Sequence, residues 1–343
     1  MQDLRFGVIG CGFMGRLHTS NAGFVPGMKT VAYCDLILDK AQDFLKTFGG
    51  EYATTQADQL FVDASLDGVL IQTGELAHPM LVIGAAQAGK HIFCEKPLAR
   101  TLAEAKQAVD VVEHSSVKMV FGVCNRLAPM VQRAKRIIPH PVYTFCQCAE
   151  TITSQAVHNL DLAVHLFHEA PLVKVYAQGQ QIWGLDPHLP ADSFVATLTF
   201  ADGSVHCYIQ HGASRNGTLR KYHYQVFGKD KMVYLAERFK KCIVHDAAGA
   251  VTQSFVFEGP DFGGEGESDV RGPYGYMGHY DELAHLCDCI RSSAAPRLTV
   301  RQGMRVLAVE KAILESITTG MPVDFAAFCS RNGIGAWYGN HIL

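Results

Sequence analysis

The sequence predicts an α/β fold, with an N-terminal Rossmann doubly wound parallel sheet followed by an α+β domain that carries a large, mostly antiparallel open sheet. Three observations carry this reading. A short apolar run, Leu4 to Ile9, feeds a Gly-x-Gly-x-x-Gly turn at Gly10, Gly12 and Gly15, and helical spacing follows it. From there to about Asn125, apolar strands alternate with helical stretches, as in a parallel sheet covered on both faces. After Pro139 and Pro141 short strands succeed one another through tight turns, as in an antiparallel sheet.

The opening turn is a dinucleotide-binding fingerprint. Gly10 serves the tight turn, Gly12 lets backbone touch a pyrophosphate, and Gly15 lets helix and strand pack closely. The pyrophosphate then meets a helix N-terminus, where unpaired N–H groups and the helix dipole favour an anion. The next run, Thr30 to Cys34, ends in Asp35, at the spacing of about 20 residues expected of a ribose-binding acid. An aspartate there accepts from both ribose hydroxyls and repels a 2′-phosphate, and Leu36 supplies no compensating charge, so NAD is expected over NADP. The competing reading of Asp35 is an N-cap before the helix that begins near Asp39.

Further strands are expected at Gly68 to Gln72, His91 to Cys94 and Lys118 to Val123, with helices at Asp39 to Phe48 and His78 to Ala88 and a closing Gly89. The β-rich half reads Val142 to Ile152, Leu172 to Gly179, Ser193 to Phe200, Ser204 to His211, Tyr222 to Phe227, Met232 to Ala236, Cys242 to Asp246 and Val251 to Phe257. One helical segment, about Ser154 to Glu169, follows its first strand. A glycine-rich stretch, Gly259 to Gly266, with Tyr274, Tyr276, His279 and Tyr280 after it, is a surface loop or a mobile lid. Helices Asp281 to Ser293 and Arg301 to Thr319 end the pattern at Gly320. The division expected is 1–125 for the NAD-binding domain and 126–343 for a substrate and oligomerisation domain, with the helix 301–319 packing back on the first.

At 343 residues the chain has room for two cores. A net charge of −3 gives no electrostatic case for nucleic acid. No apolar run approaches the roughly 20 residues of a membrane span, and the chain enters a strand at once without a leader, so a cytoplasmic protein is expected. Eleven cysteines, an odd number at irregular spacing and without C-x-x-C, read as small hydrophobes rather than a disulfide framework or a zinc site.

At the end of the fourth expected strand stands Cys94-Glu95-Lys96-Pro97, inside Ala88 to Ala99. Ligands of open α/β sheets bind beyond the carboxyl ends of strands, which places Glu95 and Lys96 at the cofactor crevice, where a lysine can donate to a substrate hydroxyl. Together with Gly10 to His18, Gly122 to Arg126, Val226-Phe227-Gly228 and the ending from Gln302-Gly303 to Val323, this string resembles the glucose-fructose oxidoreductase, inositol dehydrogenase and MocA family of NAD(P)-dependent sugar and cyclitol dehydrogenases. The resemblance covers nearly the whole chain, and the Glu-Lys-Pro string is its most specific part.

The resemblance implies a dehydrogenase acting on CH–OH groups of sugars or cyclitols, with Lys96 as the reactive lysine beside the nicotinamide. The cofactor contacts expected are Gly10, Gly12, Phe13, Met14, Gly15 and Asp35 at the fingerprint, and Thr73, His78, Glu95, Lys96, Pro97 and Asn125 beyond it. Lys96, Arg126, Ser154 and His158 are expected at the substrate. The family's reactive histidine lies in Asp-x-x-x-His-x-x-Asp, and this chain permits two registers. His158-x-x-Asp161 leaves a helix of the usual length and is preferred, with Ser154 in place of the leading aspartate; Asp161-x-x-x-His165 keeps that aspartate but leaves only a short helix. His158, Asp161 and His165, spaced i, i+3 and i+7, share one helix face, so Asp161 can orient either imidazole. A histidine titrating near neutrality suits proton abstraction from an alcohol.

No metal is expected. The resemblance also implies a homodimer or homotetramer, and the apolar strands, with Val173, Val175, Phe194 and Ala196 as examples, place the interface on the outer face of the second sheet. Two other functions compete: a redox-neutral glycosidase that uses NAD transiently, and a non-catalytic NAD-binding regulator. Retention of Lys96 and a candidate histidine argues against the second.

Overall fold

A computed structural model describes residues 3–212, 222–257 and 274–337. The chain forms two compact units, Met1–Cys124 with Gly259–Met304, and Asn125–Glu258 with Arg305–Leu343.

The first unit is built on six strands, β1 (Leu4–Ile9), β2 (Met28–Cys34), β3 (Tyr52–Thr54), β4 (Gly68–Ile71), β5 (His91–Glu95) and β6 (Met119–Gly122). They lie in the order β3-β2-β1-β4-β5-β6, with every pairing parallel. The strand order reverses at β1/β4, the point outside which open α/β sheets bind ligands. β4 and β6 are buried along their whole length, as strands covered on both faces must be. Helices follow the strands at Phe13–Ala22, Leu38–Phe48, Ala57–Val62, His78–Gln87 and Leu102–Glu113. The last starts in a reciprocal cap, Thr101 Oγ1 accepting from the Glu104 amide at 3.2 Å while the Glu104 carboxylate accepts from the Thr101 amide at 3.0 Å. β3 and the helix Ala57–Val62 were absent from the sequence-based reading, because three and six residues are too short to show a period.

The helix His279–Ser292 packs in this unit, against the helix Phe13–Ala22 and against β5 and β6. Arg291 donates to the carbonyls of Pro26 and Gly27 at 3.1 and 2.8 Å, and Lys118 donates to the Ser293 carbonyl at 2.8 Å. A sequence division at residue 125 assigns this helix to the second domain; the structure gives it to the first, since contiguity along the chain carries no information about a segment that returns. The division between units falls within the helix Val300–Thr319, whose first turn belongs to the first unit and holds Glu113 through Arg301 at 2.7 and 2.6 Å.

The second unit begins with the helix Pro129–Ile137 and continues through β7 (Tyr143–Ala149), a helical segment Ile152–Phe167, then β8 (Leu172–Gln180), β9 (Ser193–Phe200), β10 (Val205–His211), β11 (Tyr222–Phe227), β12 (Lys231–Ala236), β13 (Lys241–Asp246) and β14 (Val251–Val256). A short β15 (Val323–Asp324) and the helix Phe325–Arg331 complete it. The nine strands run β14-β13-β12-β11-β7-β10-β9-β8-β15, antiparallel except for β7 with β10. β9 alternates strictly, with Phe194, Ala196, Leu198 and Phe200 buried and Val195 exposed. Of the residues that show how apolar these strands are, Val175, Phe194 and Ala196 are core and Val173 is exposed. The sequence alternation gives two faces but not which of them turns inward.

The stretch Gly259 to Gly266, read as a loop or a lid, lies outside the described residues. No described helix is long and apolar enough to cross a membrane. The described cysteines are free and all but Cys207 are buried, as small core hydrophobes would be.

Candidate functional site

In the first unit, the turn after β1 is shaped by backbone contacts that only glycine permits. Gly10 has φ +100°, and a Cβ on it would stand 2.6 Å from the Gln72 carbonyl oxygen. A Cβ on Gly15 would lie 2.1 Å from the Gly10 oxygen, so helix and strand meet backbone to backbone. At Gly12 the same position has nothing within 4 Å. This open surface, with Gly12 as an N-cap that makes no side-chain capping bond, leaves the helix Phe13–Ala22 able to offer its first amides to an anion.

Asp35, at the end of β2, closes over this turn. Its Oδ2 accepts from the Cys11 amide at 2.9 Å and its Oδ1 from the Ile37 amide at 3.0 Å. A carboxylate has about four lone-pair directions, so two remain for ribose hydroxyls. The residues that follow, Leu36, Ile37 and Leu38, are exposed and uncharged. The turn and an open Gly12 together suit the pyrophosphate of a dinucleotide.

The end of β5 is fixed by buried polar contacts. His78 is buried, with Nδ1 at 2.7 Å from the Pro97 carbonyl and Nε2 at 3.0 Å from that of Thr73. It ties the loop after β4 to the loop that carries Lys96, which itself is half-buried. Glu95, expected at the cofactor, faces inward instead: Oε1 meets His18 Nε2 at 2.6 Å and Oε2 accepts from the Lys96 amide at 3.0 Å. Burial pushes the Glu95 carboxyl up, but the His18 hydrogen bond and the charges of His18 and Lys96 outweigh it and hold it at about 2.

Sequence reasoning missed what stands behind His18. Glu282 and His279, on the returning helix, are fully or almost fully buried, with Glu282 Oε1 at 3.7 Å from His18 Nδ1 and at 3.5 Å from His279 Nδ1. Burial lowers His279 to about 3 and raises Glu282 well above the ordinary carboxyl range. The i, i+3 spacing of His279 and Glu282 was the available signal, but nothing in sequence connects it to His18. Gln72 was missed too; it is buried beside Gly15, and both of its amide atoms lack a hydrogen-bond partner among the described residues.

In the second unit, Asn125 is fully buried in the short helical turn Cys124–Leu127. Arg126, expected at the substrate, is buried and clamps Asp161: Nε donates to Oδ2 at 2.8 Å and Nη2 to Oδ1 at 2.7 Å. The partner Asp161 meets through both oxygens is thus Arg126, where an imidazole was expected. A lone carboxylate in the interior needs a planar cation, and Arg126 supplies one through tertiary contact that helix spacing could not reveal. His158 is buried and His165 half-buried. The helix holding them is α-helical only over Val157–Leu162, with π geometry at Ile152–Ala156 and Ala163–Phe167, so an i, i+7 pair no longer keeps the face an α-helix would give it. The side chain of Ser154 lies outside the described residues.

Comparison with known proteins gives the family of the chain. Residues 4–123 match the model of an oxidoreductase family, NAD-binding Rossmann fold, and residues 149–325 match that of the same family's C-terminal alpha/beta domain. The chain is 28% identical to an uncharacterized oxidoreductase, YrbE, of Bacillus subtilis over 221 residues, 58% of this chain and 64% of that protein, so it spans just under two thirds of that relative's length. It is 26% identical to the scyllo-inositol 2-dehydrogenase (NAD(+)) of Bacillus subtilis over 345 residues, 94% of this chain and 96% of that one. Among solved structures, a levoglucosan dehydrogenase in complex with NADH and levoglucosan superposes with a TM-score of 0.81 at 23% identity, covering 94% of this chain and 100% of the other, which speaks for the fold. With both of its halves matched in order, the chain belongs to the Gfo/Idh/MocA oxidoreductase family.

Proposed function

We propose that this protein is an NAD-dependent dehydrogenase that moves a hydride between a carbinol of a sugar or cyclitol and nicotinamide. The observation that carries the reading is the fingerprint turn, open at Gly12 and clamped by Asp35, with the uncharged Leu36, Ile37 and Leu38 directly after it. The inositol dehydrogenase similarity along nearly the whole chain supports the substrate class. The bound nicotinamide supplies the hydride chemistry. Lys96 donates a hydrogen bond to the carbinol oxygen and stabilises charge there, and His158 accepts the hydroxyl proton. Arg126 and Asp161 serve as positioning residues that fix the histidine helix, and His78 and Glu95 as positioning residues for the loop of Lys96.

Steady-state kinetics on a panel of inositols and sugars, with NAD affinity titrated separately, tests these roles. Lys96→Ala and His158→Ala should each lower turnover by about 10² to 10⁴ while NAD binding changes little. His165→Ala should cost much less. An inactive His165→Ala beside an active His158→Ala would overturn the choice of base, and turnover without net NADH would overturn the dehydrogenase.

Asp35 supports NAD over NADP, because a 2′-phosphate would meet its carboxylate with Leu36 beside it. We expect a kcat/KM ratio strongly in favour of NAD, and Asp35→Ser should narrow that ratio; equal efficiency with both cofactors in the unaltered protein would end this role. A homo-oligomer formed through the outer face of the second sheet is the expected assembly, supported by exposed Val173 and Val195. Light scattering at micromolar concentration should give a dimer or tetramer, and a monomer mass refutes it.

A further inference from the structure

The first unit contains a polar cluster that the dehydrogenase roles leave unused. His18 Nδ1, His279 Nδ1 and both carboxylate oxygens of Glu282 are buried and have no hydrogen-bond partner among the described residues. Such groups are costly in an interior unless something binds them. One ligand atom from each of the three residues lies within 4.8 Å of the others. Glu282 Oε1 is 3.7 Å from one ring nitrogen and 3.5 Å from the other. Ligands about 2.1 Å from a tetrahedral ion stand roughly 3.4 Å apart, so the two edges from Glu282 are close to that spacing, and the third, between the two histidines, is within 4.8 Å.

We propose that His18, His279 and Glu282 form a buried site for one divalent transition-metal ion of the zinc class. Two imidazoles and a carboxylate are ligands this class accepts, and the second oxygen of Glu282 or a water completes the shell. Glu95 stands where a second-shell carboxylate belongs, 2.6 Å from His18 Nε2, and accepting its N–H fixes the tautomer that turns Nδ1 toward the ion. With Glu282 ionised, it and Glu95 carry two negative charges, which a divalent ion neutralises in the interior. The ion would join the helix Phe13–Ala22, the end of β5 and the helix His279–Ser292, and so brace the cofactor turn from behind. It is a structural role, independent of whether the dehydrogenase reading holds.

The test uses the full chain, unfolded in urea with chelator, refolded, and titrated with Co²⁺ as the spectroscopic probe and Zn²⁺ as competitor. Expected are one Co²⁺ per chain, visible bands of a four- or five-coordinate nitrogen and oxygen site without a thiolate charge-transfer band, and two paramagnetically shifted histidine N–H resonances. Zn²⁺ should displace Co²⁺ and raise the melting temperature. His279→Gln and Glu282→Gln should each weaken Co²⁺ binding by at least about 100-fold. The proposal is overturned by refolded protein that takes up no Co²⁺, by thiolate bands, or by affinity unchanged in both variants. Should the variants not fold, the histidine resonances of the unaltered chain decide alone, since cysteine or surface binding would not show two of them.

Discussion

The two units bury charge in different ways. In the second, Arg126 and Asp161 close on each other through two bonds, one to each carboxylate oxygen. In the first, Glu95 is satisfied by His18 and the Lys96 amide, but Glu282 and one nitrogen each of His18 and His279 face each other without a bond. A closed pair holds a helix in place; an open set of donors holds something else, or a proton. Burial alone therefore does not separate scaffold from site, whereas the valences left over do.

The largest effect is expected where the closed pair is opened. Asp161→Ala removes the carboxylate that faces the buried Arg126 charge, and should cost about 3–5 kcal/mol in urea unfolding. The double variant Arg126→Met with Asp161→Leu should cost less than either single change, because no charge remains to be solvated. A cost under about 1 kcal/mol for Asp161→Ala would break the comparison, since the pair would not be closed.

The open cluster should show itself as pH dependence of chelator-treated protein, with two limbs of opposite sign. His279 falls from 6.5 to about 3 on folding, so the unfolded chain takes the proton first, and stability present above pH 6.5 is lost as pH falls toward 3. Glu282 is raised from 4.5, so stability present below that pH is lost as pH rises toward its folded value. Melting temperature against pH should fall on both sides. His279→Gln should flatten the acid limb and Glu282→Gln the alkaline one. His168 in the second unit, lowered by burial to about 4, and Glu95, held at about 2, add to the acid limb and give the residual slope expected in His279→Gln.

Much of the fold was legible because it rests on local pattern. The fingerprint glycines, Asp35 at its spacing and the alternation of β9 each follow from contacts within one or two elements. β3, the short helix Ala57–Val62, β15 and the helix Phe325–Arg331 escaped, being too brief to show a period. At the candidate site, the place of Asp35 beside the fingerprint turn was readable from spacing, while the His18 partner of Glu95 was not.

By itself the sequence determined that a dinucleotide turn opens a parallel sheet, that an antiparallel sheet follows, and where nearly every strand lies. These depend on residue periodicity and on glycine where a Cβ would strike backbone. Only the tertiary structure decided which polar groups meet. Asp161 went to Arg126 rather than to a histidine, and Glu282 came to His18 from a helix that returns late in the chain to the first unit. Charges in an interior choose partners by distance and desolvation, and neither quantity is written in the order of residues.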